Sequence, residues 1–345
     1  MRFGLSLAKN TAYLIKNPYM QKVFSGLDID DGIIIYGDKK TFFIDARYFF
    51  EVKGDIESAG FNPVLYEGDK TLKDYLKQNK IKTLLVDFDS TTLTEYSGLK
   101  KLGVKIKDGS KNLKIARSVK TETEIDKITK SCAIVENALI YAQSFIKVGV
   151  TEKQIKTLLE DKVKALGGDG VSFDTIVAFG KNSAIPHHVS DDTKLSNDMV
   201  VLIDAGAKYK GYSSDITRTI FFGNPDKKFV DRYNAVLKAN ELAIENAKPK
   251  MSYKDIDDIA RSFLKQNDLD KYFTHSLGHG VGVEIHEYPR LSPKGEGFAE
   301  ENVVFTIEPG VYFENEYGIR IEDTVVIKNG KIKRLTLLGK ELLTI

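Results

Sequence analysis

Hydrophobic positions along the chain follow two successive patterns, and the change between them divides the sequence. Over the first hundred or so residues, short apolar runs of strand length recur. Gly32-Ile33-Ile34-Ile35-Tyr36 and Thr41-Phe42-Phe43-Ile44-Asp45 flank Gly37-Asp38-Lys39-Lys40, a spacing that predicts a hairpin. Residues 62–66 and 83–87 predict further strands, and Leu72, Tyr75 and Leu76 between them fall at helical spacing. The pattern predicts a small α/β domain closing within 105–113, where Asp108-Gly109-Ser110 reads as a turn.

A long amphipathic helix then opens the second region. Thr121-Glu122-Thr123-Glu124 has the form of a capping box, in which the threonine satisfies an orphan amide and the glutamate reaches back. Ile125, Ile128, Cys132, Val135, Leu139 and Phe145 form its apolar stripe, and Gly149 marks its end. Thr151-Glu152-Lys153-Gln154 repeats the capping signature for a second helix. Strands are predicted near 175–179, 200–204 and 216–222, and helices near 226–247 and 253–266. The last third returns to strands at 303–307, 310–313 and 320–327. Runs of strands beside runs of helices, without regular alternation, predict an α+β class. Two domains follow, 1–113 and 114–345.

Composition narrows this picture without naming a function. The 345 residues are 42% hydrophobic and 29% charged, enough to bury a sizeable core without metals or disulfides. Basic and acidic side chains number 51 and 49, so the net charge of +2 gives no argument for nucleic acid or an anionic membrane. Cys132 is the single cysteine, which excludes an intrachain disulfide and any multi-cysteine metal site; its apolar surroundings predict a buried small residue. The apolar run in the first ten residues is too short for a signal peptide, and none elsewhere nears the ~18 residues of a membrane span. A cytoplasmic protein is expected.

Candidate chemistry lies in the second region. All five histidines, His187, His188, His275, His279 and His286, fall there, and the last three crowd beside Gly278, Gly280 and Gly282. Asp204 ends a nearly continuous apolar strand, where a carboxylate is costly to bury unless paired or metal-bound. Asp215 follows in Ser213-Ser214-Asp215-Ile216, Glu308 comes directly after the apolar strand ending at Ile307, and Glu322 lies within another apolar run. Any one of these alone reads better as an edge charge or a salt bridge.

Taken together, five stretches resemble the motifs of the pita-bread metallopeptidases, and most closely the Xaa-Pro peptidases, prolidase and aminopeptidase P. They are Ser183-Ala184-Ile185-Pro186-His187-His188, Ile203-Asp204-Ala205-Gly206, Ser214-Asp215-Ile216-Thr217-Arg218-Thr219, His275-Ser276-Leu277-Gly278-His279-Gly280-Val281-Gly282, and Thr306-Ile307-Glu308-Pro309-Gly310 with Gly318-Ile319-Arg320-Ile321-Glu322-Asp323. They occur in the family's order. Asp45-Ala46-Arg47-Tyr48 is similar to a feature of the family's N-terminal domain. The resemblance implies a small α/β N-terminal domain, a C-terminal pita-bread catalytic domain and a homodimer.

It also implies that Asp204, Asp215, His279, Glu308 and Glu322 hold two divalent ions per subunit. Four converging carboxylates would repel, and two divalent ions bring +4 against −4. Oxygen-rich ligation with one imidazole suits Mn²⁺ or Co²⁺, with Fe²⁺ and Zn²⁺ as further candidates. Ions ~3.5–4 Å apart share a bridging water and lower its pKa. The implied reaction is attack by that hydroxide on an Xaa-Pro bond, in dipeptides or at the N-terminus of longer peptides, with Glu308 as general base. His187 and His286 would hydrogen-bond the leaving nitrogen and the developing oxyanion, and His275 would line the substrate site. Arg290 matches a position that in prolidases binds the free carboxylate of a dipeptide. Arg320, two positions before Glu322 on one strand face, and Thr217, in the same relation to Asp215, are expected to orient ligand carboxylates. His188 is expected at the surface. Two rival readings are an inactive pita-bread domain used for binding, whose relatives lose metal ligands, and a methionine aminopeptidase-like enzyme, which usually lacks such an N-terminal domain.

Overall fold

The computed structural model describes residue 5 and residues 7–29 and 31–345; part of the N-terminal stretch considered above lies outside the described residues. The chain forms two compact units, Met1–Arg117 and Ser118–Ile345. The boundary expected at 113/114 falls inside the helix Ser110–Ser118.

The first unit is built on a mixed six-stranded sheet. Across it run Asn62–Tyr66, Lys40–Asp45, Ile33–Tyr36, Thr11–Ile15, Thr83–Val86 and Lys105–Asp108. The predicted hairpin is present, with Tyr36 opposite Lys40 and Ile33 opposite Phe43. Its strands are buried on both faces because alternate residues point opposite ways. Ile33, Ile35 and Phe43 pack with Leu72, Leu76 and Leu99. Tyr36 and Phe42 meet Phe24 and Phe61 on the other side. Four helices went unread in the sequence: Pro18–Ser25, Ala46–Ser58, Leu93–Lys100 and Ser110–Ser118. The reason is visible in their burial: Ala46–Ser58 buries only Ile56 and Leu93–Lys100 only Leu99, so neither carries an apolar stripe. The expected turn at 108–110 is a strand end running directly into a helix.

The second unit is built on a four-stranded and a five-stranded sheet, each backed by a helix pair, with a three-stranded and a two-stranded sheet beside them. Glu122–Gln143 and Glu152–Ala165 share a core with the strands Ile176–Phe179, Met199–Ala205 and Ile216–Phe222. Lys227–Asn246 and Tyr253–Gln266 pack on the five-stranded sheet that contains Gly278–Gly280, Val304–Ile307 and Asp323–Lys328. This is the mixed helix-and-sheet architecture expected for a pita-bread domain. Both capping boxes form as read, Thr121 with Glu124 and Thr151 with Gln154. Cys132 is fully buried.

Two details differ from expectation. The first long helix stops at Gln143, leaving Phe145 beyond it and partly exposed. The strand expected over 320–327 is two strands. Tyr317–Arg320 pairs with Gly310–Phe313, whereas Asp323–Lys328 pairs with Val304–Ile307, and Ile321 and Glu322 make the crossing. Both partners are buried, so the apolar run continues across the break and nothing in the sequence marks it.

Replacing Thr121 with alanine removes the side-chain half of its capping box, the hydroxyl that accepts from Glu124 N–H, and leaves the backbone N–H of residue 121 to donate to Glu124. The expected cost is about 1 kcal/mol, or roughly 2–4 °C in the thermal midpoint of a unit this size, read by circular dichroism.

Candidate active site

The four-stranded and five-stranded sheets of the second unit deliver different parts of one site. Asp204 is the penultimate residue of Met199–Ala205, and its antiparallel partner is Thr217. Asp215 immediately precedes Ile216–Phe222. From the other sheet come His279, centred in Gly278–Gly280, Glu308, just past Val304–Ile307, and Glu322, just before Asp323–Lys328. Backbone bonds cross the seam: Glu322 N–H donates to Thr217 O and Ser213 N–H to Gly282 O. The Thr324 hydroxyl also donates to the carbonyl of Asp215.

Glycine has a specific role beside His279. A Cβ on Gly278 would lie 2.0 Å from Thr306 O, and one on Gly280 would lie 2.3 Å from Tyr288 O. These glycines therefore let the histidine strand approach its neighbours closely. The His279 ring is oriented by Nδ1, which donates to Gly280 O at 3.1 Å. That leaves Nε2 as the free acceptor, 3.5 Å from Asp215 Oδ2 and 3.5 Å from Glu308 Oε1.

The carboxylates are poorly compensated by the protein. Asp204 Oδ2 accepts from Arg320 Nη2 at 2.6 Å, while Asp204 Oδ1 is buried with no partner. Glu322 Oε2 accepts from the Thr217 hydroxyl at 2.7 Å, while its Oε1 is likewise buried and unmet. Burial, with Glu322, Asp204 and Glu308 close by, pushes the Asp215 carboxyl well above its usual range. Burial, together with Glu308 and Asp204, does the same to Glu322. Burial raises Glu308 to about 8. His279 is lowered to about 4, first by burial and then by His286, so its ring is neutral at pH 7.

The donor set fits divalent metal. Asp215, His279 and Glu322 each offer a ligand atom within 4.8 Å of one another. Buried acceptors without donors, an imidazole with its lone pair turned inward and carboxyls driven toward protonation are what a cation would relieve.

Arg320 and Thr217 each meet a carboxylate of the cluster, Arg320 reaching Asp204 and Thr217 bonding Glu322. Arg320 Nε also donates to the Thr217 hydroxyl. Other expected residues take places the sequence did not assign. His275 uses both ring nitrogens, Nδ1 toward Ser276 O and Nε2 toward the Tyr312 hydroxyl at 2.9 Å. Arg320 Nη1 donates to that same hydroxyl at 2.7 Å. Tyr312 was missed; its one signal is a phenol in a buried strand, which needs a hydrogen-bond partner. His286 stacks edge-on with His279 at 4.3 Å between centroids. His187 is exposed, yet near enough to His275 and His286 to help lower the pKa of both. Arg290, directly opposite His279 across the strand pair, donates Nε–H to Ser276 Oγ. His188 is not a surface side chain: it turns in to the fully buried carboxylate of Glu152 at 2.7 Å.

Residues 126–329 match metallopeptidase family M24. The chain belongs to this family. The Xaa-Pro dipeptidase of Pyrococcus furiosus is 39% identical over 334 residues, covering 95% of this chain and 94% of the relative. Among solved structures, an Xaa-Pro dipeptidase from Bacillus anthracis matches with a TM-score of 0.92 at 30% identity, over 97% of this chain and 95% of that one. An X-Pro aminopeptidase from Thermotoga maritima matches at 0.89 and 34% identity, over 97% of each chain. The protein is thus a metallopeptidase with a pita-bread catalytic fold, and no helix among its described residues is long and apolar enough to cross a membrane.

The raised carboxyls of this peptidase predict a pH dependence for the metal-free fold. Glu308 moves from 4.5 to about 8, so the folded state keeps a proton that the unfolded chain releases near 4.5. That stability is present below the unfolded value and is lost as pH rises through about 8. The melting temperature of chelated protein should fall across that interval and recover on adding Mn²⁺. A flat profile for the chelated protein would contradict the assignment.

Proposed function

We propose that this peptidase hydrolyses the Xaa-Pro bond, in dipeptides ahead of longer peptides, with two divalent ions held by Asp204, Asp215, His279, Glu308 and Glu322. The observation that carries the proposal is the convergence of Asp215, His279 and Glu322, with Glu308 3.5 Å from His279 and unmet buried acceptors on Asp204 and Glu322. An inactive binding module would have lost ligands, and here every expected position carries a coordinating side chain. A methionine aminopeptidase-like reading accounts less well for an N-terminal unit with its own six-stranded sheet. The oxygen-rich donors suit Mn²⁺ or Co²⁺ ahead of Fe²⁺ or Zn²⁺. A cytoplasmic homodimer completes the proposal.

When bound, such ions supply Lewis acidity and water of lowered pKa. The residues then divide the remaining work. Glu308 takes the proton that the attacking water gives up and delivers it to the proline nitrogen as the C–N bond breaks. His187 and His286 donate hydrogen bonds to the carbonyl oxygen as it gains charge and to the leaving nitrogen. Thr217 and Arg320 hold Glu322 and Asp204 in place, and Arg320 is itself fixed by Tyr312.

Proline gives the site its purpose: a tertiary amide with no N–H and a fixed φ fits ordinary peptidases poorly. Arg290 supports the dipeptide preference. As the cross-strand partner of His279 it lies on the same face as that ligand, and its guanidinium makes no other hydrogen bond than that to Ser276 among the described residues. A planar guanidinium can grip a free carboxylate with two bonds.

Hydrolysis of an Xaa-Pro dipeptide should exceed that of an Xaa-Pro-Xaa tripeptide, in assays with Mn²⁺, and chelation should abolish both. Preference for the tripeptide would remove the carboxylate-binding role of Arg290; no metal-dependent cleavage would leave the binding-module reading. Asp215→Asn should cut kcat beyond the roughly 10–100-fold typical of outer ligand partners, with the circular dichroism spectrum unchanged. Near-normal turnover in that variant would sink the two-metal assignment.

A further inference from the structure

The loop 180–191 carries His187 and is held from two sides. On one side it packs on the strand Tyr317–Arg320. The Gly318 N–H donates to Ser183 Oγ at 2.9 Å, and a Cβ on Gly318 would sit 2.1 Å from Ser183 O. Arg320 Nη1 reaches Pro186 O at 3.4 Å.

On the other side lies Glu152, the first residue of Glu152–Ala165, whose side chain is fully buried. Its Oε1 accepts from Phe179 N at 2.7 Å and from Asn182 Nδ2 at 2.9 Å. Its Oε2 accepts from His188 Nε2 at 2.7 Å and from Asp191 N at 2.9 Å. One carboxylate thus grips the approach to the loop, its first turn, its histidine and its exit. A carboxylate has about four acceptor positions, and all four are used here. The helix N-terminus beneath it favours the negative charge.

Glu152, His188 and Asp191 lie close enough to resemble a metal site. The bonding argues otherwise, since Glu152 has no acceptor to spare and Asp191 Oδ1 is taken by Thr193 N at 2.7 Å. The cluster is a clasp on the loop.

We propose that Glu152 and His188 are positioning residues that set the placement of His187 at the catalytic site. His188 turns inward, with its side chain only 9% exposed, while the preceding His187 stays exposed. Fixing the first ring against Glu152 fixes the direction in which the backbone presents the second. The inference rests on the peptidase reading and on the role given there to His187.

Replacing Glu152 would strip four donors of their acceptor at once and endanger folding, so the test uses His188. His188→Ala should lower kcat/KM on an Xaa-Pro dipeptide by about 10-fold, with metal content and melting temperature near wild type. His188→Gln, which keeps an N–H donor, should recover most of that loss. Combined with His187→Ala, the His188→Ala change should cost nothing further, because its effect runs through His187. A loss that persists in full on the His187→Ala background, or no loss in His188→Ala while His187→Ala is impaired, overturns the clasp alone. A wild type without Xaa-Pro cleavage, or a fully active His187→Ala, overturns the underlying reading and the clasp with it.

Discussion

Asp204, Asp215, Glu308 and Glu322 bring four carboxylates into one buried space, against which Arg320 contributes one guanidinium and His279 a neutral ring. Burial raises the proton affinity of Asp215 and Glu322, and the neighbouring carboxylates Asp204 and Glu308 raise it further. Such a cluster can persist only if the scaffold holds it, and the architecture does so by division. Asp204 and Asp215 belong to one sheet, while His279, Glu308 and Glu322 belong to the other. Repulsion therefore acts both within one sheet, Glu308 on Glu322, and across the seam between two well-packed layers, each with its own apolar core. The seam is closed by hydrogen bonds at the very positions where charge accumulates, including Glu322 N to Thr217 O and Thr324 Oγ1 to Asp215 O.

The neighbours Glu322 and Asp323 show how partners decide the fate of buried acids. Both are buried to the same degree. Burial pushes Asp323 upward too, but Arg218, Lys340 and Arg334 surround it and hold it below the usual carboxylate range. Arg218 Nη2 lies 2.9 Å from its Oδ1, and Lys340 Nζ lies 3.1 Å from its Oδ2. Glu322 receives one hydroxyl and is left with an unmet oxygen. One acid is finished by the protein as a structural anchor. The other is left needing a cation, which is the physical meaning of a ligand position.

What the sequence disclosed follows the same line. Carboxylates at the ends of apolar strands were legible because burial makes them anomalous, and capping boxes were legible because their chemistry is local. The helix Ala46–Ser58 was not, since a helix with one buried residue has no periodicity to detect. The break at Ile321–Glu322 was hidden because strands on both sides of it are buried. Tyr312 and the Glu152–His188 pair were invisible for another reason: their partners lie far away in sequence, and no local pattern encodes a contact between distant elements.

The histidines sort by what their second nitrogen is doing. His279 spends Nδ1 on Gly280 O, which leaves Nε2 as a lone pair aimed at the carboxylates, the arrangement a metal ligand needs. His275 spends both nitrogens, on Ser276 O and the Tyr312 hydroxyl, so binding substrate would require it to release Tyr312 and loosen Arg320. A ring bound on both sides orients its neighbours, which argues for His275 as part of the support of Asp204. His188 commits Nε2 to Glu152. The rings of His187 and His286 are the ones the proposal assigns to substrate, one exposed on its loop and the other stacked on the edge of His279. Imidazoles with identical intrinsic chemistry thus take different tasks where the fold fixes a different partner, as it does for His279, His275 and His188.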